Sequence, residues 1–101
     1  MNITGRTEEG IPVVGGAFKL YGERGVPIVD IIQQLHASGL ILDWADFCVE
    51  ALQSKWKLGK VYSLLREAVG EVYPPRWVQE WDRKMIAWCR LRAGGHIYEY
   101  P

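Results

Sequence analysis

Apolar residues at Ile28, Ile31, Ile32 and Leu35 follow the i, i+3, i+4, i+7 rhythm of a helix that buries one face. Asp30, Gln33 and Gln34 fall on its other side. Pro27 suits the first turn, where a missing N–H costs nothing. Gly39 is placed to end the helix in the left-handed conformation, with Leu40 available for the apolar contact beyond the cap. A second stripe begins after Asp43, an N-cap residue with acidic Asp46 in the following turn. It runs through Trp44, Phe47, Cys48, Ala51 and Leu52 and resumes at Leu58, Val61, Tyr62, Leu65 and Val69. Residues 55–57, near Gly59, mark a break in it. The two runs stay roughly in phase, so residues 44–70 read as one long helix or as two. Gly70 and the pair Pro74-Pro75 close this region.

A last helix is predicted from Pro74-Pro75 to about Arg92, stopped by Gly94-Gly95. At about 100° per residue, Trp77, Trp81, Trp88, Met85, Val78 and Cys89 form one wide stripe, as a core-facing helix requires. Arg76, Arg83 and Arg90 recur every seven residues opposite that stripe, as a solvent-facing basic row. Glu80 is spaced to pair with Lys84, which would leave the arginine row without local neutralisation.

The N-terminal part reads differently. Residues 1–10 are polar and are expected to be a flexible segment ahead of one domain spanning 11–101. Residues 11–27 read as two short strands turning at Gly15-Gly16, a two-residue hairpin signal. Phe18 and Leu20 alternate there with Lys19 and Tyr21. The ending HIYEYP alternates Ile97 against Tyr98 and Tyr100 and reads as a strand that would pair with the hairpin. The expected fold is therefore α+β and mostly helical. About four helices pack with a small antiparallel sheet formed by the N-terminal hairpin and the C-terminal strand.

A chain of 101 residues with nearly half its residues apolar makes one globular domain. No apolar run approaches a membrane span, and the first residues lack the apolar centre of a secretory signal, so a cytoplasmic location with no membrane partner is expected. Cys48 and Cys89 lie inside apolar helical patterns and read as small buried hydrophobes rather than a disulfide. The two histidines, His36 and His96, and the cysteines show no metal-ligand spacing. No metal, cofactor or small-molecule substrate is inferred. Asp43, Asp46 and Glu50 could together face a hard cation, but the same spacing describes a capped, solvated first turn. With His36 they are the available acid–base groups. No nucleophile motif or phosphate-cradling glycine loop accompanies them, so no catalytic residue is assigned and the chain reads as non-enzymatic.

Net charge is zero but unevenly spread. Residues 1–50 carry three basic against seven acidic side chains, −4, and residues 51–101 carry nine against five, +4. Such asymmetry marks either an acidic partner or pairing between the halves. Residues 51–65 loosely fit helix-turn-helix spacing: small Ala51, a break four residues on, then Val61 and Leu64 inside a second helix. The outer face of that helix would carry Lys57, Lys60, Ser63 and Arg66, and arginine forks on the last helix suit phosphate. The expected nucleic-acid-binding set is thus Lys57, Lys60, Arg66, Arg76, Arg83 and Arg90. Against it stand Lys55 where a turn glycine is usual, Glu67 and Glu71 near the reading face, and a pI of about 6.7. The alternative is a protein-interaction or assembly module, homodimeric, using Trp56, Tyr73, Tyr98 or Tyr100; small phage and bacterial accessory proteins are comparable in size.

Overall fold

The computed structural model describes residues 1–93. Its elements, in chain order, are strands β1 (Asn2–Arg6) and β2 (Pro12–Gly15), helices α1 (Ala17–Arg24) and α2 (Ile28–Ala37), and strand β3 (Ile41–Leu42). Helices α3 (Trp44–Gln53), α4 (Leu58–Val72) and α5 (Pro75–Ala93) follow. The chain is a small α+β domain dominated by helix, as its hydrophobic pattern predicts. Among the described residues five helices form rather than about four, and the strands lie in the N-terminal part. The predicted C-terminal strand, with Tyr98 and Tyr100, lies outside the described residues.

The sheet differs most from expectation. Asn2–Arg6, read as flexible, pairs antiparallel with β2, in register Asn2↔Gly15 and Arg6↔Pro12. All five β1 residues are exposed, so no side-chain alternation announces the strand. Backbone pairing holds it, and Thr4 adds a hydroxyl hydrogen bond of 2.6 Å to the Asp43 carboxylate. The turn between β1 and β2 is closed at Thr7, whose carbonyl accepts from the Gly10 N–H and whose hydroxyl accepts from the Ile11 N–H. β2 then pairs parallel with β3, Val13 opposite Ile41 and Val14 opposite Leu42, so the sheet is mixed, in order β1-β2-β3.

Gly15-Gly16 does not turn a hairpin. Gly16 takes φ +86° at the N-cap of α1, and the chain leaves β2 directly into a helix. Residues 17–21 fit both periods, since Ala17, Leu20 and Tyr21 stand at i, i+3 and i+4 beside Phe18. The helical period wins because it carries Phe18 and Tyr21 onto Phe47 of α3, at ring distances of 5.2 and 6.1 Å.

The helices follow their stripes. Ile28, Ile31, Ile32 and Leu35 are all buried. Gly39 takes φ +72°, and the Leu40 N–H donates to the Leu35 carbonyl at 2.8 Å, closing α2 as the cap geometry requires. Asp43 caps α3 by accepting the Asp46 N–H at 3.0 Å. The core is centred on Phe47, Cys48, Ala51, Val61, Leu65, Met85 and Cys89, each fully buried. On α5, Val78, Trp81, Met85 and Cys89 are buried and Trp77 and Trp88 half-buried, so the aromatic stripe is core.

Residues 44–70 form two helices. Residues 54–57 connect them, with Lys55 at φ +71°, the one non-glycine residue of positive φ among the described residues. A side chain there carries a steric cost of about 1 kcal/mol. Lys55→Gly should therefore raise the unfolding free energy by about 0.5–1 kcal/mol, read from the urea midpoint at unchanged slope. A lowered midpoint would mean that the lysine side chain itself stabilises the turn.

Candidate nucleic-acid interface

Ala51, fully buried in α3, is followed four residues later by left-handed Lys55 and then by α4. Lysine here adopts the left-handed conformation that glycine usually supplies in a turn. The connection is tight: the Trp56 N–H reaches back to the Ala51 carbonyl at 3.0 Å, and the Lys55 N–H to Leu52 at 3.0 Å. Val61 is buried and Leu64 half-buried in α4.

Lys55, Lys57 and Lys60 are all exposed at the start of α4, whose first turn carries no acidic residue. Lys57 is the N-cap, and no side chain caps the helix there. A cation at a helix N-terminus opposes the macrodipole, so this end concentrates positive potential. Lys60 is held in place: its Nζ lies 4.3 Å from the centre of the Trp56 ring. Trp56 is itself half-buried, edge-on to Phe18 and Tyr21 at 5.6 and 5.7 Å. It serves as an anchored platform, not as surplus aromatic surface. Tyr73, the other residue expected to be surplus, stacks on Trp77 at 3.6 Å and meets the His36 ring at 4.7 Å.

The other basic residues are more engaged than their spacing predicts. Arg66 Nε lies 3.6 Å from Asp82 on α5, at the seam between the two helices. The same carboxylate accepts the Tyr62 hydroxyl, and burial, then this bond, pushes the Tyr62 phenol up to about 12. Arg83 pairs with Glu80 at 3.5 Å, so the expected Glu80–Lys84 pair gives way to an i, i+3 contact and the row is neutralised at its middle. Arg76, Arg83 and Arg90 are all exposed. Glu67 and Glu71 are exposed farther along α4, past Lys60, as expected. The six residues therefore divide. Lys57 and Lys60 stand together at the start of α4. Arg66 sits at the α4–α5 seam, and the arginine row lies on the outer side of α5.

The acidic group at α3 has structural work. Asp43 caps the helix and accepts from Thr4, and Asp46 accepts the Gly16 N–H at 2.9 Å, tying the β2–α1 junction to α3. Burial, then neighbouring Asp46, raises the Glu50 carboxyl above its ordinary value. Among the described residues, no group of three or more His, Cys, Asp or Glu side chains is placed to hold a metal ion, and no helix is long and apolar enough to cross a membrane. Sequence reasoning missed the part played by Trp56, which its i, i+4 spacing to Lys60 could have signalled. It also missed a cleft between the β1–β2 turn and α5, which nothing local in the chain announces. Compared with known proteins, the chain matches no family model, no curated protein and no solved structure.

Proposed function

We propose that this domain is a non-enzymatic nucleic-acid-binding module that docks the start of α4 against a duplex. The observation that carries the reading is the α3–turn–α4 unit, in which a left-handed turn residue presents Lys55, Lys57 and Lys60 at a helix start without an acid. In helix-turn-helix proteins the N-terminal residues of the second helix reach the base edges, while neighbouring cations hold phosphates. Arg76, Arg83 and Arg90 on α5 are the phosphate-holding set in this reading, Arg83 once its pair with Glu80 opens. Arg66, engaged with Asp82, supports the seam and touches nucleic acid only if that pair opens.

The test is an equilibrium titration of the protein into fluorescent duplex and single-stranded DNA at about 50 and 200 mM salt. Affinity should fall steeply between the two salts. Lys57→Ala with Lys60→Ala should weaken duplex binding by at least roughly tenfold and lower the salt slope by about 2, one for each phosphate that is no longer neutralised. Identical curves for the wild type and the double variant, or no binding at either salt, would remove this reading.

A second reading, homodimeric protein interaction, is favoured by β1. Among the described residues it is an edge strand, exposed along its whole length and carrying exposed Ile3 beside exposed Met1. Flat DNA titrations together with a dimer mass in sedimentation would support that reading instead.

A further inference from the structure

We infer that the cleft between the β1–β2 turn and α5 binds a small organic cation of the alkylated-ammonium class. This site is separate from the α3–α4 turn and stands independently of the nucleic-acid reading. The cleft encloses about 680 Å³, within the roughly 300–1,000 Å³ typical of small-ligand sites. Three indoles line it: half-buried Trp44 from α3 and Trp77 from α5, and Trp81 of α5, which is only 4% exposed.

Each indole is fixed by another ring. Trp77 stacks on Tyr73 at 3.6 Å and 11°. Trp44 meets Trp88 edge-on at 5.7 Å. Trp81 lies parallel to Tyr62 at 6.3 Å, and Tyr62 is hydrogen-bonded to Asp82. The walls are therefore set before a ligand arrives, and binding does not have to order them. An aromatic face is electron-rich and attracts a cation, most strongly when that cation carries apolar surface and leaves water readily.

Charge around the cleft selects the same ligand. Glu8, Glu9, Asp43 and Glu80 line it against Arg6 and Lys84 alone. Arg6 is committed, its Nη1 donating to the Gly10 carbonyl at 2.9 Å. Glu9 is held below the usual carboxylate range by hydrogen bonds from backbone and from Thr7, with Lys84 adding to the effect, so it stays ionised at the rim. Asp43 caps α3 and Glu80 pairs with Arg83, so the acidic charge at the rim comes chiefly from Glu8 and Glu9, and a cation meets it beside the indoles. The cleft resembles in chemistry an aromatic cage with carboxylates at its mouth.

The experiment titrates the full chain with benzyltrimethylammonium, its neutral isostere neopentylbenzene, and phenylmethanesulfonate, following the assigned tryptophan indole N–H signals by NMR. The cation should shift Trp44, Trp77 and Trp81 saturably and leave Trp56 unmoved. The neutral isostere should bind roughly tenfold more weakly, and the sulfonate not at all. Trp77→Ala should weaken the cation roughly tenfold, whereas Trp77→Phe should retain most of the affinity. Glu80→Gln, at an exposed side chain paired with Arg83, removes one lining charge and should weaken it severalfold. No saturable shift, equal affinity for the neutral isostere, or preference for the sulfonate would each overturn the inference. Full affinity in Glu80→Gln together with folded Trp77→Ala would do so too.

Discussion

Phe47→Ala should lower the unfolding free energy by about 3–5 kcal/mol. Phe47 is fully buried and is the ring on which α1 docks, with Phe18 edge-on at 5.2 Å and Tyr21 at 6.1 Å. Truncation removes the transfer free energy of the ring and leaves a cavity between α1 and α3. Both neighbours are themselves held by Trp56, at 5.6 and 5.7 Å, so they are poorly free to collapse into the space. A domain of this size has about 5–15 kcal/mol in total, so the variant should sit near its unfolding midpoint in mild urea. Urea titration followed by far-ultraviolet circular dichroism reads the effect. Leu91→Ala, at a residue 87% exposed, is the control and should change nothing measurable. A loss under about 1 kcal/mol at Phe47 would mean that α1 does not depend on this ring.

Stability should also fall steeply in alkali, between about pH 9 and 11. Burial pushes the Cys48 thiol up to about 12, with Cys89 and Asp43 adding to it, and burial pushes Cys89 up to about 11. Tyr62, raised to about 12, and Tyr73, raised by burial, act in the same sense. The sign follows from which state ionises first. Above about pH 9 the unfolded thiols lose their protons while the folded ones keep them, so unfolding releases protons. Stability is fully present below that pH and is lost as pH climbs towards the folded values. Cys48 alone should contribute about 2 kcal/mol of that loss between pH 9 and 11, since each full unit is about 1.4 kcal/mol and the unfolded thiol is only partly ionised at pH 9. Urea midpoints at pH 8, 9, 10 and 11 test this. Cys48→Ala, less stable at pH 8, should show a flatter pH dependence. An equally steep decline in that variant would assign the effect to Cys89 and the tyrosines.

The proposed interface was partly legible. Lys57 and Lys60 lie where helical periodicity and the break near residue 55 predict an exposed helix start. The arginine row is exposed because its seven-residue spacing opposes a core stripe. What escaped was pairing. Arg66 finds Asp82 sixteen positions away, because α4 and α5 pack side by side. Arg83 takes Glu80 from the partner that simple spacing favours. Spacing on one helix shows which charges can meet, but packing shows which do.

The sequence by itself determined the helices with a continuous stripe and a local stop: α2, closed by Gly39, α3, capped by Asp43, and α5, bounded by the proline pair. It also determined which α5 face is core. Those features depend on residues three or four apart, or on the backbone conformation of one residue. Only the tertiary structure decided that exposed Asn2–Arg6 is a strand, that residues 17–24 coil against Phe47, and that β3 runs parallel to β2. It alone brought Trp44 beside Trp77 and Trp81 to wall a cleft. The physical reason is common to all of these. Each is stabilised by partners distant along the chain, through backbone pairing or ring packing that no local periodicity encodes.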